Sequence, residues 1–465
     1  VKWINIGISF LLGLIVWNIP IPQGVRVEAW HLFAIFVATI YSIITKPLPM
    51  GATALMCLLV TQLTNTISFN DAFSGFSSDV VWLVILAFFI ARGFIVTGFG
   101  SRIAYNFVKI FGKKTLGLGY GLVLTELILA PAVPSVTARA GGIVYPILQS
   151  IAKAFGSDPH DGTASKMGTF LTLTSFQATC ITSAMFLTAM AGNPLVAKLA
   201  LDVGVNITWG NWALAAIVPG LLSLLVLPYV VYKLYPPLVK ETPDAKHFAQ
   251  RKLDEMGKVK KNEWIMILTF ILLLFLWIFS SEVGIKPAVT ALLGIVILLI
   301  TNVLNWKDVL KEENAWDTLI WFSTLLTMAN NLNNLGLTQA FSSFVVKSMG
   351  GLSWYVAFIA ISLSYLYIHY FFASTVAHIG AMYGAFVAVA VALGTPAFLA
   401  VFMLAFLSNL NGGLTHYASG PAPIFYGSNY AAIVPWWKTG FVMSVVNILI
   451  WFVIGGFWWR LVGLW

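Results

Sequence analysis

The chain has 465 residues, 59% of them hydrophobic and 9% charged, with a mean hydropathy of +0.88. A soluble domain carries about 25% charged residues, so the composition excludes an ordinary soluble protein and gives an all-α polytopic membrane protein. The net charge of +9, which in a soluble chain would suggest nucleic acid, here fits basic loops on the cytoplasmic side; Cys57 and Cys180 both lie in apolar runs, which excludes a disulfide framework and metal-ligand spacing.

Apolar runs of about 20 residues, enough to cross a bilayer, recur along the chain. Spans are predicted at 3–20, 30–45, 49–66 and 79–98, the last opened by Asp79 as N-cap and ended near Gly98. The first run reads as a span rather than a cleavable signal. Residues 101–114 set Arg102, Lys109, Lys113 and Lys114 among Ile103, Phe107, Ile110 and Phe111, the pattern of an amphipathic helix on the membrane surface. Residues 116–150 are apolar but broken at 131–142, where Pro131 and Pro134 precede Ser135, Thr137, Arg139, Gly141 and Gly142. Prolines remove backbone donors, and such a break survives in lipid only where it is buried in protein or lines a cavity. Basic residues stand on both sides, Lys113 and Lys114 before, Lys153 and Lys166 after. This predicts a re-entrant hairpin. Next come a long segment, 165–200, broken at Ala191-Gly-Asn193-Pro194, and a span at 211–232.

Residues 236–262 form a polar, basic connector with no glycine-rich phosphate loop, and divide the chain. The second half repeats the plan: spans at 263–281, 287–304 and 317–335, a surface segment at 337–350, a hairpin at 352–392 around Phe372-Ala-Ser374-Thr375-Val-Ala377-His378, a broken segment at 397–430 and a last span at 438–459. The count is about eleven spans and two hairpins. Five regions follow: scaffold helices 1–114, first hairpin and broken helix 115–235, linker 236–262, scaffold helices 263–350, and second hairpin, broken helix and last span 351–465.

Shifting the first half by 238 residues aligns Asp79 with Asp317, Gly98 with Gly336, Lys109 with Lys347 and Gly112 with Gly350; one slip then aligns Ser135–Arg139 with Ser374–His378. Five spans separate the copies, so the repeats are expected to be inverted, a signature of secondary transporters.

The two broken hairpins are expected to face each other across a site for a small dianion. Such a ligand must also leave, which favours hydroxyl and backbone donors over fixed charges. The candidates are Ser135, Val136 and Thr137 on one tip, Ser374 and Thr375 on the other, and the half-helix starts at Asn193-Pro194 and Gly420-Pro421, where free N–H groups and the dipole favour anions. Arg139, His378 and His416 are candidates for offsetting the negative charge, with the alternative that Arg139 pairs with Glu126, the acid well inside a predicted membrane segment. Built-in cations disfavour reorientation of the empty carrier and so favour obligatory exchange. Arg92 and His369 are read as structural. No metal site and no cofactor is expected. No HExxH, paired catalytic aspartates or Ser/His/Asp set is visible, which argues against a membrane-embedded enzyme.

At 134–146 and 370–378 the chain resembles the divalent-anion/sodium symporter family, the INDY-type di- and tricarboxylate carriers. Its nearest likeness is the branch with the plastid 2-oxoglutarate/malate translocator and bacterial citrate/succinate exchangers. Ser183–Pro194 and Gly440–Met443 are also similar to that branch. The resemblance implies a homodimer with a fixed scaffold and an elevator-type transport domain, dicarboxylate substrates and a plasma-membrane location, with no nucleic-acid partner. It also implies that Ser135, Thr137 and Ser374 take the hydroxyl roles of the family's Ser-Asn-Thr tips. Here Val136 stands for the first asparagine, and Thr375 and Val376 for the second Asn and Thr. In sodium-coupled members the asparagines help build sodium sites, so the departures agree with sodium-independent exchange; the alternative is a sodium-coupled di- or tricarboxylate symporter.

Overall fold

The computed structural model describes residues 2–22, 24–349, 351 and 353–465, and within them every regular element is helical. The first half opens with α1 (Lys2–Asn18), α2 (Val27–Thr45), α3 (Met50–Leu63), α4 (Asp79–Thr97) and α5 (Phe99–Phe111). Its hairpin has α6 (Thr115–Leu129) as first leg; the return leg is a wide π-helical turn, Thr137–Val144, that continues into α7 (Tyr145–Ala154). The interrupted helix is α8 (Gly168–Met185) and α9 (Gly192–Ala200), followed by α10 (Trp209–Leu234). The linker carries α11 (Ala245–Met256). The second half runs α12 (Lys261–Ile278), α13 (Pro287–Ile300), α14 (Glu313–Asn334), α15 (Leu337–Met349) and α16 (Trp354–Ile368). The return leg passes through a π-helical turn, Ile379–Tyr383, into α17 (Gly384–Ala392); α18 (Ala397–Leu410), α19 (Ala422–Gly427) and α20 (Ile433–Leu449) close the chain.

Among the described residues seven helices are long and apolar enough to cross a membrane, and five further apolar helices have 10–17 residues. The first leg α6 has 15 residues, about 22 Å of helix, short of the ~30 Å hydrocarbon core, whereas both legs of the second hairpin, Trp354–Phe371 and Thr375–Ala392, run 18 residues and are among the seven.

Apart from α1, which has no counterpart, the main helices of the two halves follow in the same order. Gly98 (φ 74°) and Gly336 (φ 85°) end α4 and precede α15 in the left-handed conformation that glycine adopts without strain. Each is followed by a 13-residue helix, then by a hairpin. The corresponding helices α4 and α14 run antiparallel: the Gly75 N–H just before α4 donates to Thr327 at 2.9 Å, while Phe89 further along packs on Trp316 near the start of α14. The aligned Gly350 lies outside the described residues.

Two expectations are corrected. The N-cap of α4 is Ser78; Asp79 is the first helical residue and its carboxylate meets Lys286 at 3.3 Å. The gap in the first interrupted helix falls at residues 186–191, upstream of Asn193-Pro194, which sit in the first turn of α9. Proline is favoured in a first turn, where its missing N–H has no partner to lose. The linker is docked on the first half. Leu238 and Val239 N–H groups donate to the Ser165 and Lys166 carbonyls, Thr242 donates to Lys113, and Thr115 donates to Lys240. Helix α11 then lies on α5, with Tyr105 edge-on to Phe248, and Arg102 ties α5 to Glu263 at the start of α12.

Candidate functional site

The core of the site is α8, buried along its length except at Thr169 although rich in threonine and serine. Both hairpin tips converge beside it. In the first, the Ser135 hydroxyl accepts from the Ala138 N–H at 3.1 Å; in the second, the Ser374 hydroxyl accepts from Ala377 at 3.3 Å. Each serine thus caps its return leg, satisfying an orphan N–H while keeping its own proton to donate. Thr137 is exposed and lies against exposed Gly420, where an added Cβ would clash with the Thr137 hydroxyl. Thr375 meets Gly412 of the second interruption and Met190 of the first. Val376 lies beside Gly192. Each tip therefore meets an interruption contributed by the other half.

The charged candidates are placed differently from one another. Arg139 and Glu126 are fully buried, and Arg139 Nε donates to Glu126 at 2.7 Å. The same guanidinium donates to the Val133 and Ala189 carbonyls and to Ser183, and Glu126 also accepts from Thr179. Of its two possible partners Arg139 holds the carboxylate, so its charge is already matched. His378 is buried against His369, the two Nδ1 atoms 3.1 Å apart, with Asn411 at 2.8 Å. His416 is half-buried and accepts from Trp437 at 3.1 Å.

Asn193 does not offer its amide to a ligand: it is fully buried, both amide bonds go to the Ser183 and Phe186 carbonyls, and its oxygen accepts from Asn409. Pro194 is buried beside it. On the other side Pro421 precedes α19, which has only six residues and so little dipole to offer.

Three polar residues escaped the sequence reading. Gln177 donates to the Gly413 carbonyl at 2.8 Å, tying α8 to the second interruption; Asn409 and Asn411 stand at the end of α18. Their signal was an amide pair, Ser408-Asn-Leu-Asn411, closing an apolar run just before Gly412-Gly413. The oxygens of Asn409 and Asn411 and Nε2 of His378 are buried without partners where the second tip and the end of α18 meet, which leaves them available to a ligand. A separate, mainly apolar cavity of about 250 Å³ lies among α1, α2 and α3, lined by Phe10, Leu14, Ile35 and Cys57 with the hydroxyls of Ser9 and Thr53; it is apart from both tips and both interruptions.

Two hairpins and two interrupted helices meeting inside a helical bundle define a membrane transporter rather than an enzyme. The chain belongs to the family described as the sodium:sulfate symporter transmembrane region, whose model matches residues 1–465. It is 56% identical to "Putative malate transporter YflS" of Bacillus subtilis (strain 168), over 100% of this chain and 98% of that one. It is 55% identical to "Dicarboxylate transporter 1, chloroplastic" of Arabidopsis thaliana, over 98% and 83%, and 37% identical to "Inner membrane protein YbhI" of Escherichia coli (strain K12), over 96% and 95%. The fold is similar to that of Neisseria gonorrhoeae MtrF, with a TM-score of 0.58 at 13% identity, covering 98% of this chain and 93% of that one.

Proposed function

We propose that the protein is a secondary active exchanger of C4 and C5 dicarboxylates (2-oxoglutarate, malate, succinate, fumarate) in a bacterial plasma membrane. It works as a homodimer by elevator-type alternating access and without sodium. The observation that carries this reading is the meeting of both serine-capped tips with the interruptions of the opposite half, leaving Thr137 and Gly420 exposed. The full-length identity to proteins named for malate and dicarboxylate transport supports the substrate class. Ser135, Thr137, Ser374 and Thr375 supply hydroxyls to the carboxylates, and the backbone at Val136, Gly420 and Pro421 approaches them closely. The Arg139–Glu126 pair is neutral overall, so the charge offered to a dianion falls to the histidines, His378 with its partner His369 first and His416 further out.

Sodium-coupled symport is the second reading. The family's description favours it, as do the unpartnered oxygens of Asn409 and Asn411. Reconstitution separates the two. Liposomes preloaded with malate are expected to take up labelled 2-oxoglutarate at a rate indifferent to a sodium gradient, and empty liposomes to take up little. Uptake into empty liposomes that climbs with external sodium overturns exchange in favour of symport.

A further inference from the structure

We infer that His369, His378 and Asn411 form a proton-binding site whose loading is coupled to dicarboxylate binding. The inference rests on the dicarboxylate reading of the neighbouring tips.

The hydrogen count carries it. The Ala418 carbonyl, 2.9 Å from His369 Nε2, can only accept, so that nitrogen bears a hydrogen. The Nδ1 atoms of His369 and His378 are 3.1 Å apart, which requires one hydrogen between them. The third contact, Asn411 to His378 Nδ1 at 2.8 Å, decides which ring owns it. With the amide nitrogen facing the ring, His378 Nδ1 is already an acceptor; the bridging hydrogen then belongs to His369, which carries hydrogens on both nitrogens and is an imidazolium. With the amide turned about, His378 Nδ1 carries the hydrogen and donates to His369 and to the Asn411 oxygen, and His369 is neutral. The nitrogen-facing arrangement leaves the Asn411 oxygen buried without a partner. The amide of Asn411 is therefore a two-position element whose orientation follows the proton count.

Both imidazoles are fully buried. Among the described residues no carboxylate, lysine or arginine hydrogen-bonds to either ring. The titratable neighbours are tyrosines. Tyr365 of α16 stacks on His378, ring centroids 4.4 Å apart, and shares a hydrogen bond with Ser408 of α18. Tyr383 of the return leg faces Tyr365 and donates to the Val401 carbonyl. From the second interruption, His416 is turned to Trp437 and Tyr417 donates to the Tyr370 carbonyl. A buried cation without a counter-charge is unfavourable. A dianion at the tips supplies that charge within one helical turn, since the His378 N–H donates to the Ser374 carbonyl and Asn411 adjoins Gly412, which Thr375 touches. Arrival of the dianion draws one proton from water onto the pair, and its departure returns the proton. By reciprocity the protonated pair binds the dianion more tightly.

The test is calorimetric titration of the full chain in nanodiscs with malate, in buffers of different ionisation enthalpy around neutral pH. About one proton is expected to be taken up per malate bound, with affinity falling about tenfold per pH unit above the loading range. His369→Gln is expected to abolish the uptake while malate still binds. Nitrogen-15 NMR of labelled histidine in the wild-type chain gives a readout that needs no variant: malate is expected to convert one imidazole to imidazolium. Malate binding with no proton uptake and no change in the histidine spectrum overturns the proton site and leaves dicarboxylate binding standing. Absence of binding by any C4 or C5 dicarboxylate overturns both.

Discussion

Arg139 shows how a single residue changes meaning once its neighbours are known. Its guanidinium makes four bonds, to Glu126, Val133, Ala189 and Ser183, with no exposure. Removing it strands a buried carboxylate, which costs about 3–5 kcal/mol, whereas replacing both charges by apolar groups is often neutral. Arg139→Ala is therefore expected to lower the thermal midpoint in detergent sharply, and Arg139→Met with Glu126→Met to recover most of it, as read by size-exclusion chromatography after heating. Arg139→Lys rescues poorly, because a lysine ammonium lacks the planar fork that serves four acceptors at once. Exposed Thr137 behaves otherwise. Gly420→Ala places a methyl against its hydroxyl, an overpacking of about 1–3 kcal/mol. Exchange in liposomes should fall by about tenfold or more and return in part when Thr137→Ala is added, since contacting residues are not additive. The sequence pointed to both positions through residue type. It left open whether Arg139 faced Glu126 or the ligand, because a separation of 13 residues across a proline-broken turn has no fixed geometry. It passed over Asn409 and Asn411 because an amide at the end of an apolar helix looks like an ordinary cap.

At the scale of elements, helix type and order were legible because hydrophobic run length and glycine–proline punctuation report directly on backbone energetics in lipid. The equal lengths of α6 and α16, and of α5 and α15, are the structural counterpart of the weak sequence repeat. Punctuation does not say on which side of a proline the helix lies, hence the shift of the first interruption upstream of Asn193. Nor does polarity separate a free linker from a docked one. Residues 238–242 read as a charged connector, yet the N–H groups of Leu238, Val239 and Thr242 are spent on carbonyls of residues 165, 166 and 113. Hydrogen exchange followed by mass spectrometry is expected to find the amides of Leu238, Val239 and Thr242 protected well beyond those of Lys258 and Val259, although both stretches are non-helical and charged. Equal, rapid exchange in the two would mean that the linker does not stay docked on the hairpin base.

For the whole molecule the question is which parts move together. The hairpin tips and interruptions are bound to one another through contacts such as Gly141 with Ile424, Gln177 with Gly413 and Asn193 with Asn409. Their contacts with the helices assigned to the scaffold include Gly380 of the second return leg against Leu325 of α14. An elevator motion slides the second kind of contact and preserves the first. In a background with Cys57 and Cys180 replaced by alanine, bridging Leu325→Cys to Gly380→Cys with a short thiol-reactive linker is expected to stop exchange in liposomes, with recovery when the bridge is cleaved. Bridging Gly141→Cys to Ile424→Cys, inside the moving part, is expected to leave most of the exchange rate intact. On the elevator reading, substrate alternates between the two faces by sliding at the boundary at α14. Full-rate exchange by the chain bridged between residues 325 and 380 would therefore exclude a rigid-body elevator and leave local gating by the tips as the remaining route.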